Sequence, residues 1–113
     1  MIYHGFKTST TPGTAVTLAN KRTMASFVTL FPRKVAGLPN QGEVRLGGNP
    51  ALPENVQFNG IQTGIPTGSG MPLLPGDAGV IWPMQATAPV DLSSIFLDVT
   101  NSGDGVQFIY GKP

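Results

Sequence analysis

Glycine and proline recur so densely along this chain that a helix of ordinary length has almost nowhere to form. The 113 residues include 15 glycines and 11 prolines. Without a collagen-like period, that density means either disorder or frequent turns. Here the glycines and prolines fall between short runs rich in Val, Ile, Thr and Phe, which is the pattern of strands separated by turns. No window of a dozen residues keeps apolar positions at helical spacing while staying free of both breakers. Residues 14–26 come closest, but Thr14, Val16, Thr17 and Thr23 are β-branched and suit strands better.

The strands follow from the runs themselves. Ile2–Thr8 is the first. Thr11-Pro12-Gly13-Thr14 reads as a tight turn, with proline presetting φ and glycine supplying a positive φ. Ala15–Leu18 follows, then a polar turn at Asn20-Lys21-Arg22. Ala25–Phe31 alternates, with Ser26, Val28 and Leu30 on one face and Phe27, Thr29 and Phe31 on the other. Both faces carry apolar groups, so this strand is expected inside a sheet, ended by Pro32. Glu43–Leu46, Gly79–Trp82, Ser94–Thr100 and Val106–Tyr110 complete the set. Asn101-Ser102-Gly103-Asp104-Gly105 has the composition of a hairpin turn joining the last two.

These readings predict one all-β domain over residues 1–113, a small antiparallel β-sandwich of about seven or eight short strands. Strand order is not encoded locally, so a plain sandwich and a jelly roll both remain open. An extended loop or arm occupies residues 48–70, rich in glycine and proline and longer than compact domains ordinarily tolerate. Its apolar residues Leu52, Val56, Phe58, Ile61 and Ile65 are too many for a plain linker. It is either an irregular loop packed on its own domain or an arm that orders against a neighbouring subunit. On the second reading, deleting residues 60–68 should leave the sandwich folded.

The chain offers little material for catalysis. There is no cysteine and one histidine, His4, so neither a thiolate metal site nor a zinc cluster can be built. A lone histidine near a terminus reads as a surface residue, not a general base. Asp91, Asp98 and Asp104 do not follow the spacing of a calcium loop and read as turn residues or strand positions. Gly60 and Gly64 lack the Lys-Ser or Lys-Thr of a phosphate loop, and Gly68-Ser69-Gly70 opens no helix. The expectation is a non-enzyme without cofactor.

Charge sharpens this. The net value is +1, which argues against a binder of nucleic acid driven by phosphate neutralisation. Residues 1–47 hold six cations and one anion, whereas residues 48–113 hold one cation and five anions. Either these charges pair internally, or they make a two-signed surface whose copies attract one another. Met1–Lys7 lacks the regions of a secretory signal, and no apolar run is long enough to span a membrane. A soluble protein made in a cytosol, or carried there by an infecting particle, is therefore expected.

The order of segments adds a comparison. Thr11–Leu18 and Ser26–Leu30 come first, followed by Glu43-Val44-Arg45-Leu46-Gly47-Gly48. After the long loop come Gly70-Met71-Pro72-Leu73-Leu74-Pro75-Gly76-Asp77 and Ile81-Trp82-Pro83. Asp91-Leu92-Ser93-Ser94-Ile95-Phe96-Leu97-Asp98 and Gly103–Gly111 close the chain. Over nearly its whole length outside Gly48–Ser69, the chain resembles the small β-sandwich structural proteins of tailed bacteriophages and related prophages. That resemblance implies a virion component, foremost a capsid decoration or cement protein that binds the major capsid protein and stabilises the shell. A neck, tail or head-fibre accessory subunit is the alternative, and a host-surface or glycan-binding module with Tyr3 and Trp82 as stacking platforms is more remote. The implied partners are the major capsid protein or other virion proteins, and further copies of the chain, with a trimer favoured. No nucleic acid or membrane is expected as a partner. The residues expected at such contacts are Ile2, Tyr3, Leu52, Val56, Phe58, Ile61, Ile65 and Met71.

Overall fold

The alternating runs do become strands, and they build two sheets with the apolar sides facing inward. In a computed structural model of the chain, described over residues 1–35, 38–52, 63–65, 70–82 and 89–112, the strands run in chain order. They are β1 (Ile2–Thr8), β2 (Val16–Thr17), β3 (Met24–Ala25), β4 (Phe27–Pro32), β5 (Lys34–Val35) and β6 (Leu38–Pro39). Then come β7 (Val44–Gly47), β8 (Met71–Leu73), β9 (Val80–Trp82), β10 (Val90–Asp91), β11 (Phe96–Val99) and β12 (Gly105–Gly111). A single 3-10 turn, Leu92–Ser94, sits between β10 and β11.

One four-stranded sheet has the order β1-β12-β4-β9 and the other the order β2-β11-β7-β8, and every pairing in them is antiparallel. Two small pairs, β10 with β3 and β5 with β6, flank them. Among the eight strands of the main sheets, only the step from β7 to β8 stays within one sheet; every other step crosses to the opposite one. Eight strands in two sheets wound in this order form a jelly roll, which resolves the architecture left open by the strand pattern.

The core lies between the sheets. Val28 and Leu30 of β4 and Val106 and Phe108 of β12 meet Val44 and Leu46 of β7 and Leu97 and Val99 of β11. Alternation puts these residues on the inner faces, and burying each large aliphatic side chain contributes roughly 1.5–3 kcal/mol. As expected, β4 lies inside its sheet, with β12 on one side and β9 on the other. Pro32, its last residue, is buried. Pro72 lies in β8, at a sheet edge where a missing ladder donor does no harm.

Two turns form where the composition places them but connect differently. Thr14 N donates to Thr11 O at 3.2 Å, and Gly13 has φ of +87°. Asp104 N donates to Asn101 O at 3.2 Å, and Gly103 has φ of +92°. Yet the first turn leads from β1 to β2 and the second from β11 to β12, and the members of each pair belong to opposite sheets. The expected hairpin at residues 101–105 is therefore an arch that carries the chain over the core. Asp104 and its neighbour Gly105 hold the arch in place. The Asp104 carboxylate is buried and accepts from Gln41 N and Gly42 N at 3.0 Å each. Asn40 holds Gly105 from both directions, donating to its carbonyl at 2.8 Å and accepting from its N–H at 3.0 Å.

Candidate interaction face

The outer faces of the two sheets differ sharply. On the β2-β11-β7-β8 sheet, Arg45 and Asp98 occupy opposed positions of the β7–β11 ladder and point away from the core. They are nevertheless buried, at 6% and 1% exposure, because residues 63–65 lie across them. Asp98 accepts from Ile65 N and Gly13 N at 2.9 Å each and from Val99 N at 2.8 Å. Arg45 Nε donates to Ile65 O at 2.5 Å, and Nη1 donates to Thr100 Oγ1 at 3.0 Å. Thr63 bonds the Gly13 turn through its hydroxyl, and its carbonyl accepts from Ala15 N at 2.7 Å. Residues 63–65 thus cover this part of the face.

The β1-β12-β4-β9 sheet has no such cover among the described residues. Alternation aims Ile2, His4 and Phe6 of β1, Gln107 and Ile109 of β12, and Phe27, Thr29 and Phe31 of β4 outward. Ile2 is 66% exposed, Phe6 69% and Ile109 42%. The register sets them side by side, with His4 opposite Ile109, Phe6 opposite Gln107, and Gln107 opposite Phe31. Glycine lets two of the rings lie flat. Phe27 covers Gly111 across the ladder, and Phe31 covers Gly79, so a side chain at either glycine would displace a ring. Beside Phe31 a groove of about 620 Å³ opens, lined also by Arg33, Pro39, Pro75, Asp77 and Gln107. It places one cation and one anion at the margin of an otherwise apolar surface.

The residues expected at contacts divide accordingly. Ile2 lies on this face. Tyr3 points inward, stacks on Tyr110 with centroids 5.4 Å apart, and has the Lys112 ammonium 5.0 Å from its ring. Leu52 is 47% exposed and lies elsewhere. Met71 packs against the core. Ile65 is buried at 5% exposure and clamped by Arg45 and Asp98, so the structure places it inside the fold. Val56, Phe58 and Ile61 lie outside the described residues, as does most of the 48–70 loop. Phe6 and Ile109 were absent from the sequence-based set. Their signal was present in the alternation of the first and last strands, since strands apolar on both faces need two coverings and the opposite sheet supplies only one.

The titratable groups serve the fold. Asp91 accepts from Thr23 N and Ser93 N at 3.0 Å each, and these backbone bonds, with help from the Ser93 hydroxyl and Arg22, hold its carboxyl below the usual carboxylate range. Among the described residues no three His, Asp or Glu side chains gather where a metal ion could be held. No described helix is long and apolar enough to cross a membrane. No protein-family model matches the chain, and no curated protein or solved structure matches it.

Proposed function

We propose that this chain is a virion structural protein of a tailed bacteriophage, a capsid decoration or cement protein that adheres to the major capsid protein and stabilises the shell. The observation that carries the adhesive part is the apolar face of the β1-β12-β4-β9 sheet, centred on the exposed Phe6 and Ile109 and without cover among the described residues. Contiguous exposed apolar surface is rare on a monomer without a partner. The phage setting rests on the order of sequence segments, and jelly rolls are a fold that capsids use among other things. Mechanically, a cement protein adds contact area across several shell subunits, so that internal pressure must break more interface to open the shell.

Mass spectrometry of purified particles provides the test. The chain should be present in stoichiometric ratio to the major capsid protein. Phe6→Asp together with Ile109→Asp should abolish its rebinding to stripped particles while leaving its melting curve nearly unchanged. A handful of copies per particle would point instead to the neck or tail, and undiminished rebinding of the double variant would remove the face from the account.

A further inference from the structure

The four edges of the two main sheets are not alike. β2 has two residues, β8 has three with Pro72 in the middle, and β9 has three and is followed in the sequence by Pro83. Short strands and proline are the ordinary means of keeping a sheet edge from pairing with another chain. β1 uses neither. It runs for seven residues with unbroken register against β12, and its other side pairs with no strand among the described residues.

Which of its backbone groups are unused can be worked out. Lys112 N donates to Met1 O at 3.1 Å, and Ser9 N donates to Asp104 O at 3.0 Å. These bonds bracket the β1–β12 ladder and fall on the odd positions that flank β1 on either side. In an antiparallel ladder, residues bonded to the neighbour alternate with residues turned away. Tyr3, Gly5 and Lys7 therefore use their N–H and C=O groups on β12. Those of Ile2, His4, Phe6 and Thr8 point out from the edge. The same even residues carry the side chains of the exposed apolar face, so backbone groups unpaired among the described residues and exposed hydrophobic groups coincide.

We propose that a second copy of this chain occupies the β1 edge, paired antiparallel about a two-fold axis at Gly5. With Gly5 opposite Gly5 of the second copy, Ile2 meets Thr8 and His4 meets Phe6, and each relation is repeated by symmetry. All four outward residues of each copy are then bonded. Shifting the axis to His4 leaves Thr8 without a partner and sets two histidines face to face. On the inner side, the Gly5 register brings Lys7 opposite Tyr3 of the second copy, a cation beside an aromatic ring. This converts an inward lysine, otherwise a guard against pairing, into a contact specific to this register. The two four-stranded sheets merge into one of eight strands, and the apolar faces become continuous across it. The product is a dimer, where the resemblance implies a trimer.

The purified chain is sufficient for the test, so its outcome is separate from that of the capsid reading. Sedimentation should show a concentration-dependent dimer. Phe6→Pro should abolish it without unfolding the chain, because the lost N–H is one that β12 does not use. Since the chain has no cysteine, two single variants map the register. His4→Cys mixed with Phe6→Cys should give a disulfide-linked dimer on mild oxidation, the paired Cα atoms lying about 5.5 Å apart, in several-fold higher yield than either variant alone. If Phe6→Pro fails to fold, the mixing experiment decides by itself. A wild-type chain that stays monomeric, a dimer that survives Phe6→Pro in folded form, or equal cross-linking by His4→Cys alone would each overturn the proposal. The first of these outcomes would leave the edge to a strand of a different protein.

Discussion

Arg45 and Asp98 face each other across the β7–β11 ladder with 3.5 Å between Nη2 and Oδ2, and both are buried beneath residues 63–65. The pair lies on the outer face of its sheet and would be a surface ion pair if the loop did not cross it. Because the loop does cross it, the pair fastens Ile65 and the Gly13 turn to the sandwich. Asp98→Ala would leave Arg45 buried with a lost partner and free three backbone donors. The expected loss is about 3–5 kcal/mol, the usual consequence of breaking a buried pair from one side. A urea titration would show it, and a loss below about 1 kcal/mol would mean that the loop is not held through this pair. For the same reason, deleting residues 60–68 should destabilise the domain, the outcome expected of a loop packed on its own domain and not of a free arm.

Asn40 replaces a ladder partner at the start of β12. Arg33 N reaches Gly105 O at 2.9 Å, but Arg33 O accepts from Asn40 N, so the Gly105 N–H turns to the Asn40 side chain. Asn40→Ala should orphan that buried N–H while the carbonyl keeps Arg33. The expected loss is about 1–3 kcal/mol by chemical denaturation. Asn40→Asp, which retains the acceptor, should recover part of it.

Gly105 and Gly13 separate two reasons for glycine. A Cβ at Gly105 would run into the Lys7 carbonyl and the Thr8 Cα, both backbone and unable to yield. Gly13 has φ of +87° and nothing within 4 Å of its Cβ position. Gly13→Ala should lose about 1–2 kcal/mol through the left-handed conformation alone. Gly105→Ala should lose about 3 kcal/mol or more, at or beyond the upper end for overpacking. Thermal melts of the two variants would rank them, and the reverse order would contradict the close approach of β1 to β12.

Asp91 supplies a pH dependence. Its carboxyl is held below 3.8 by bonds from Thr23 N and Ser93 N, so the folded state binds its proton less readily than the unfolded state. Stability from this group is therefore fully present above 3.8 and is lost as pH falls through the lower folded value. Asp91→Asn should melt below the wild type at neutral pH, and the difference should close under strongly acidic conditions. A difference independent of pH would assign the effect to the shape of the turn rather than to its charge.

Local chemistry was enough to read a strand within residues 25–31, although Ala25 belongs to β3 and the strand proper is Phe27–Pro32, and the turns at residues 11–14 and 101–105. Each depends on neighbours a few residues apart: a period of two, a proline beside a glycine, a polar cluster. The exposed apolar residues were less legible. Ile2 is among them, whereas Phe6 and Ile109 stood outside the sequence-based set, because exposure depends on what the opposite face of a strand meets.

The sequence by itself determined that this protein is all-β, where its main strands and turns fall, and that no thiolate or histidine cluster is available to it. Those properties follow from backbone sterics and residue inventory. Tertiary structure alone decided that the turn at residues 101–105 crosses the core instead of closing a hairpin, that Arg45 finds Asp98, and that Ile65 is buried while Phe6 is exposed. The physical reason is that a strand's hydrogen bonds are satisfied by partners far away in the chain. Register 53 residues apart, as between Arg45 and Asp98, leaves no mark on either segment alone.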